Sequence, residues 1–124
     1  MQILVVEDQD SIRSLIEALV SARGHKVVAV ASGAKALEIA LQSTPDIVLL
    51  DLHLPGQYDG FAVCEKLRAS AATKNTPVII ISARDDTAAR ARATEAGATA
   101  FYGKPFSPTA LLKEIERFSR PAKS

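Results

Sequence analysis

One cysteine in 124 residues, Cys64, leaves no means of building an intrachain disulfide framework, and a reducing, cytoplasmic setting is expected. Cys64 lies in an apolar helical stretch with Phe61, Ala62, Val63 and Leu67, which reads as a buried, inert thiol. No apolar run approaches the roughly 20 residues of a membrane helix. No basic segment precedes the first apolar run, so neither a membrane span nor a signal peptide is expected. An excess of either charge is also missing. Fifteen Lys and Arg against 14 Asp and Glu give a net charge of +1, too small to draw the whole chain to nucleic acid or an anionic membrane. No glycine-rich loop follows the first apolar run, where Glu7-Asp8-Gln9-Asp10 stands instead, and nucleotide binding is disfavoured. Neither an extra helical domain nor a basic stripe supports contact with DNA. With 48% hydrophobic and 23% charged residues, a single globular domain remains.

What is present is a set of short apolar runs with polar ends. Ile3-Leu4-Val5-Val6 ends in Glu7-Asp8, and Ile47-Val48-Leu49-Leu50 ends in Asp51. Val78-Ile79-Ile80-Ile81 ends in Ser82, and Ala100-Phe101-Tyr102 leads to Lys104-Pro105. Unbroken runs rich in β-branched residues are the mark of strands buried on both faces of a parallel sheet. Parallel strands present their C-terminal ends along one edge, so three carboxylates, a hydroxyl and an ammonium gather there.

Strand-like and helix-like segments alternate five times, the pattern of a doubly wound α/β domain. The patterning predicts strands over 2–6, 26–31, 46–50, 77–81 and 99–102, and helices over 10–23, 33–43, 58–70, 85–96 and 107–119. Gly24 and Gly97 fit left-handed helix ends. Asp10, Ser32 and Ser107 fit N-caps, with Pro108 in a first turn. Pro45 and Pro77 each lie just before a buried strand, where a missing N–H does no harm. The domain spans 1–119, and 120–124 is a tail or the start of a linker. In open α/β sheets a ligand sits outside the strand ends where the strand order reverses. For an order 2-1-3-4-5 that point lies between the strands ending in Glu7-Asp8 and in Asp51.

Carboxylates crowded together raise one another's pKa, and a hard divalent cation relieves them. Adjacent strand residues point to opposite faces, so Glu7 and Asp8 play unequal parts. Lys104 supplies a point charge for Asp51 or for an anion placed on it, and Ser82 a hydroxyl donor. The set fits phosphoryl transfer to a carboxylate, with Asp51 as the attacking group. One acid at a strand end is commonly just solvated; four such ends converging are not.

Leu4-Val5-Val6-Glu7-Asp8, Leu49-Leu50-Asp51-Leu52-His53-Leu54-Pro55-Gly56, Ile81-Ser82-Ala83 and Lys104-Pro105-Phe106 together resemble a response-regulator receiver domain of two-component signalling. The resemblance covers nearly all of 2–119 and implies a flavodoxin-like (βα)5 three-layer sandwich. It implies that Asp51 is the phosphoacceptor, charged by a histidine kinase or a histidine phosphotransfer protein. Glu7 and Asp8 become the acids for Mg²⁺ (or Mn²⁺), with Asp8 and Asp51 binding directly and the backbone carbonyl of His53 as a further ligand. Ser82 and Lys104 assist phosphorylation and dephosphorylation, and Ser82 and Phe101 form the switch. The Lys104–Pro105 peptide is cis by the same resemblance. The output is a downstream effector bound at the face of helix 4, strand 5 and helix 5, by a monomer or a weak phosphorylation-linked dimer.

Four departures from the family pattern individualise the chain. Gly60 falls nine positions after Asp51 where the pattern has eight, so the loop Pro55–Gly60 is lengthened. The switch position holds Phe101, which has no hydroxyl. His53 and Arg84 are placed at the mouth of the site. The fourth helix offers only Ala88, Ala89, Ala91, Ala93 and Ala96 for burial, and is therefore expected to be lightly held. Two other functions fit less well. A Mg²⁺-dependent phosphatase lacks an Asp-x-Asp pair, because Asp51-Leu52-His53 puts histidine second. A phosphorylation-independent interaction domain leaves the complete set of acids, hydroxyl and lysine without a use.

Overall fold

Runs that are apolar on both faces need a cover on each, and the computed structural model, which describes residues 1–119, supplies one. The element order is β1 (Gln2–Val6), α1 (Asp10–Ser21), β2 (Lys26–Val30), α2 (Gly33–Ser43), β3 (Ile47–Leu50), α3 (Gly60–Ala69), β4 (Val78–Ser82), α4 (Thr87–Ala96), β5 (Ala100–Gly103) and α5 (Pro108–Ser119). The five strands are parallel, in the order β2-β1-β3-β4-β5. The proposed tail at 120–124 lies outside the described residues.

Alternation along each strand divides the core in two. Leu4, Val6, Val48, Leu50, Val78 and Ile80 pack against α2, α3 and α4. Ile3, Val5, Ile47, Leu49, Ile79 and Ile81 face Ile16 and Val20 of α1 and Leu111 and Ile115 of α5. Register then sets the site. Val6 lies opposite Leu50, and Leu50 opposite Ile80, so the residues that follow emerge level along one edge. The Asp51 N–H donates to the Val6 carbonyl at 3.0 Å, carrying the pairing one residue past β3.

Ser32 and Ser107 cap α2 and α5 as expected, accepting from the Lys35 and Ala110 N–H groups. Gly97 ends α4 in the left-handed region at φ +102°. Most element bounds shift by one or two residues from the sequence reading, and the helix ends show why. Asp10 is not an N-cap but the first residue of α1, where it pairs with Arg13 at 2.5 Å. An acid there still complements the partial positive charge of the helix start. α1 stops at Ser21, and Gly24 takes its φ of +87° in the turn beyond. α3 begins at Gly60 because the Asp59 carboxylate accepts from the Ala62 N–H at 2.9 Å. α4 begins at Thr87 because Asp86 likewise accepts from the Ala89 N–H at 2.7 Å. Thr44, at φ +43°, ends α2 in a conformation usually left to glycine or asparagine.

Cys64 is buried in the core as expected, and burial pushes its thiol up to about 11. Among the described residues no helix is long and apolar enough to cross a membrane.

Candidate functional site

Carboxylate oxygens of Glu7, Asp8 and Asp51 lie within 4.8 Å of one another. Glu7 and Asp51 are buried while Asp8 is exposed, the inequality that the strand geometry predicts. The Lys104 ammonium reaches both buried acids, Glu7 Oε1 at 2.8 Å and Asp51 Oδ2 at 3.3 Å. The expected pairing with Asp51 is made, and the shorter contact is to Glu7. Burial pushes the Glu7 carboxyl above its ordinary range; the Lys104 hydrogen bond opposes this and the Asp51 charge adds to it. A backbone N–H, from Gln9, also donates to Glu7 Oε2 at 3.2 Å.

Three carboxylates and one ammonium leave two negative charges without a partner in the cluster. The donors are all oxygens, one of them solvent-accessible at Asp8, and this set fits a hard divalent ion such as Mg²⁺ that keeps several waters. Two backbone contacts steady the acids. The His53 N–H donates to Asp51 Oδ1 at 3.3 Å, and Arg13 Nη1 donates to the Glu7 carbonyl at 3.0 Å.

Ser82 ends β4 fully buried, its Oγ accepting from the Arg84 N–H at 3.1 Å. The Lys104 N–H donates to the Ser82 carbonyl at 2.9 Å, which ties the hydroxyl and the ammonium to neighbouring strand ends. The Lys104–Pro105 peptide is cis. His53 and Arg84 are exposed and line the mouth of the site, where a cavity of about 370 Å³ also touches Asp8, Asp59, Phe61 and Arg92. Phe101 is half-buried on β5, and the Arg90 guanidinium lies 4.6 Å from its ring centre. Arg90 in turn pairs with Asp85 at 2.5 Å.

The structure thus brings Glu7, Asp8, Asp51 and Lys104 together, with Ser82 linked through the Lys104 backbone and His53 at the rim. Residues that sequence reasoning missed are Arg13, Arg90 and Arg92. All three are helix arginines that read as solvated charges. Their spacing from Glu7, Phe101 and Phe61 carries no local pattern that would have marked them.

The response regulator receiver domain family matches residues 3–116, and the chain belongs to it. Among curated relatives, the response regulator PleD of Caulobacter vibrioides is 37% identical over 119 residues, which cover 96% of this chain and 26% of PleD. The chain spans about a quarter to a half of the length of the curated relatives it matches. Among solved structures, a putative response regulator from Chloroflexus aurantiacus superposes with a TM-score of 0.90 at 32% identity, covering 96% of this chain and 98% of that one. The receiver domain of the sensor histidine kinase PA1611 of Pseudomonas aeruginosa gives 0.87 at 30% identity, covering 94% and 95%; it has a magnesium ion coordinated in its active site cleft. Receiver domains are signalling domains that act as phosphoacceptors in two-component systems and bind Mg²⁺ at an acidic site, and this chain is one of them.

Proposed function

We propose that Asp51 accepts a phosphoryl group from a histidine kinase or histidine phosphotransfer protein, and that the charged state re-forms the α4–β5–α5 face for an effector. One observation carries this reading: a single ammonium, Lys104, bridges two buried carboxylates inside a three-acid cluster. An Asp51 oxygen attacks phosphorus as the bond from phosphorus to the donor histidine nitrogen breaks, and the leaving imidazole keeps the electron pair. Lys104 turns from Asp51 to an oxygen of the arriving group, and Ser82 donates its hydroxyl to another. Glu7, Asp8, Asp51 and the His53 carbonyl would hold Mg²⁺, which supplies positive charge for the phosphoryl oxygens. Engagement of Ser82 draws β4–α4 inward, and Phe101 follows into the space that opens. A cytoplasmic location, which the lone cysteine favours, is part of the proposal.

The test is incubation with acetyl phosphate or beryllofluoride, with and without Mg²⁺, for the wild type and Asp51→Asn. A Mg²⁺-dependent mass increase or spectral change is expected in the wild type alone. Modification that persists in Asp51→Asn, or none in the wild type, overturns the proposal. Size measurement on the same samples reads out any linked dimer.

A further inference from the structure

Gly33, the first residue of α2, is buried, and its backbone is not left-handed. Conformational freedom therefore does not account for a glycine there; space does. A β-carbon at this position would lie 2.5 Å from the Tyr58 carbonyl oxygen, 2.8 Å from Val63 Cγ2 and 2.9 Å from Tyr58 Cβ. One of these atoms is backbone and cannot rotate away.

Tyr58 belongs to the lengthened loop that joins Asp51 to α3, and it packs half-buried against the α2–α3 side of the core. The base of the same loop is gripped separately. A β-carbon on Gly60 would collide with the Asp51 carbonyl, and the Gly60 N–H donates to the Leu52 carbonyl at 2.9 Å. The segment carrying His53 is thus held between two close approaches, Gly60 on the backbone of Asp51 and Leu52, and Tyr58 on Gly33. The His53 N–H meets Asp51 within that segment.

We infer that Gly33 is a positioning residue for divalent-cation binding: the missing side chain seats the loop through Tyr58, and the seat holds the His53 backbone beside Asp51. The inference rests on the reading that these acids hold a divalent cation. A methyl group at position 33 pushes Tyr58 outward while Gly60 keeps the base of the loop in place. The displacement then falls on residues 53–57, and the acids at the ends of β1 and β3 stay where the sheet holds them.

The experiment is Mg²⁺ titration of the whole chain by calorimetry, with amide chemical shifts of Asp51 and His53 followed in parallel. Gly33→Ala and Tyr58→Ala are compared with the wild type. Ala40→Gly, a buried α2 position outside the loop, serves as a control for general destabilisation. Weakening on the order of ten-fold is expected in both loop variants, the scale seen when residues supporting a metal ligand are lost. Their His53 amide should shift even without metal, whereas Ala40→Gly lowers Tm and leaves the affinity alone. Should Gly33→Ala fail to fold, Tyr58→Ala carries the test of the loop's anchorage, since it keeps the carbonyl and β-carbon that Gly33 admits and removes the ring that packs the loop on the core. A loop variant that binds Mg²⁺ as tightly as the wild type, or an equal loss in Ala40→Gly, overturns the role of Gly33. A wild type that binds no Mg²⁺ overturns the functional reading itself.

Discussion

Lys104 is the residue on which the charge balance of the site turns. Among the described residues its ammonium is the one cation bridging Glu7 and Asp51, and all three side chains are at least seven-eighths removed from solvent (12%, 2% and 5% exposed). Removing one partner of a buried pair strands the others, a loss of about 3–5 kcal/mol. Protonation of Glu7, already favoured by burial, relieves part of that. Lys104→Met is therefore expected to lower stability by roughly 2–4 kcal/mol in urea melts without Mg²⁺. Adding Mg²⁺ should restore more in the variant than it adds to the wild type; equal gains would sink this account. Cys64 provides a pH prediction. Burial raises its thiol from 9.0 to about 11, so the neutral thiol is what the core accepts. That contribution is complete below pH 9 and is lost as pH climbs through 11. The two-unit shift corresponds to roughly 2–3 kcal/mol at most. Cys64→Ala should flatten the fall in stability between pH 9 and 11 relative to the wild type, measured by chemical denaturation.

Among the elements, α4 is the least conventionally held. Its buried face is Ala89, Ala93 and Ala96, and alanine contributes only a fraction of the about 1.5–3 kcal/mol of a buried Leu or Val. The larger contacts come from the polar side. Arg92 lies 4.1 Å from the Phe61 ring centre and Arg90 4.6 Å from that of Phe101. Such stacks contribute about 0.5–1 kcal/mol each at exposed sites. Arg90→Ala with Arg92→Ala should speed amide exchange across 87–96 and leave β3 unchanged. If α4 amides in the wild type already match β3 in protection, the helix is not lightly held. Acid should also act on α4. The Ala89 N–H, and then Arg84, hold the Asp86 carboxyl below the usual range. The stability it lends is present above the unfolded carboxylate pKa and lost as pH falls through its lowered folded value. Amide shifts of 87–90 should therefore move in acid while those of 33–36, capped by the non-titrating Ser32, do not.

At the scale of the molecule, the sheet gathers charge that a cation would complete, and binding of that cation would be linked to folding. A ligand present at a hundred times its Kd, and bound only by the folded state, adds about 2.7 kcal/mol. Mg²⁺ should raise Tm of the wild type accordingly, and Asp8→Asn, which removes the most exposed acid of the cluster, should blunt the rise. An equal rise in both, read by thermal melts, would place the ion elsewhere.

Much of this was legible in the sequence. A parallel strand buried on both faces must be an unbroken apolar run, so β1, β3 and β4 announce themselves, and so do Glu7, Asp8, Asp51 and Ser82 as the residues at or just past their ends. Topology follows from the same alternation, because five βα units with short connections have few ways to close. Helix starts were less legible. Asp10, Asp59 and Asp86 are alike in type, and only the local backbone decides which of them caps. Other features lay beyond the sequence, because they join residues far apart in the chain whose approach is set by packing. The preference of Lys104 for Glu7, the arginines laid over Phe61 and Phe101, and the clearance that Gly33 gives Tyr58 are of this kind. The sequence by itself determined which groups reach the sheet edge, since pleat and burial are written into every strand. Only the tertiary structure decided how those groups are paired and held, since distances across the site depend on how loops and helices settle on the sheet.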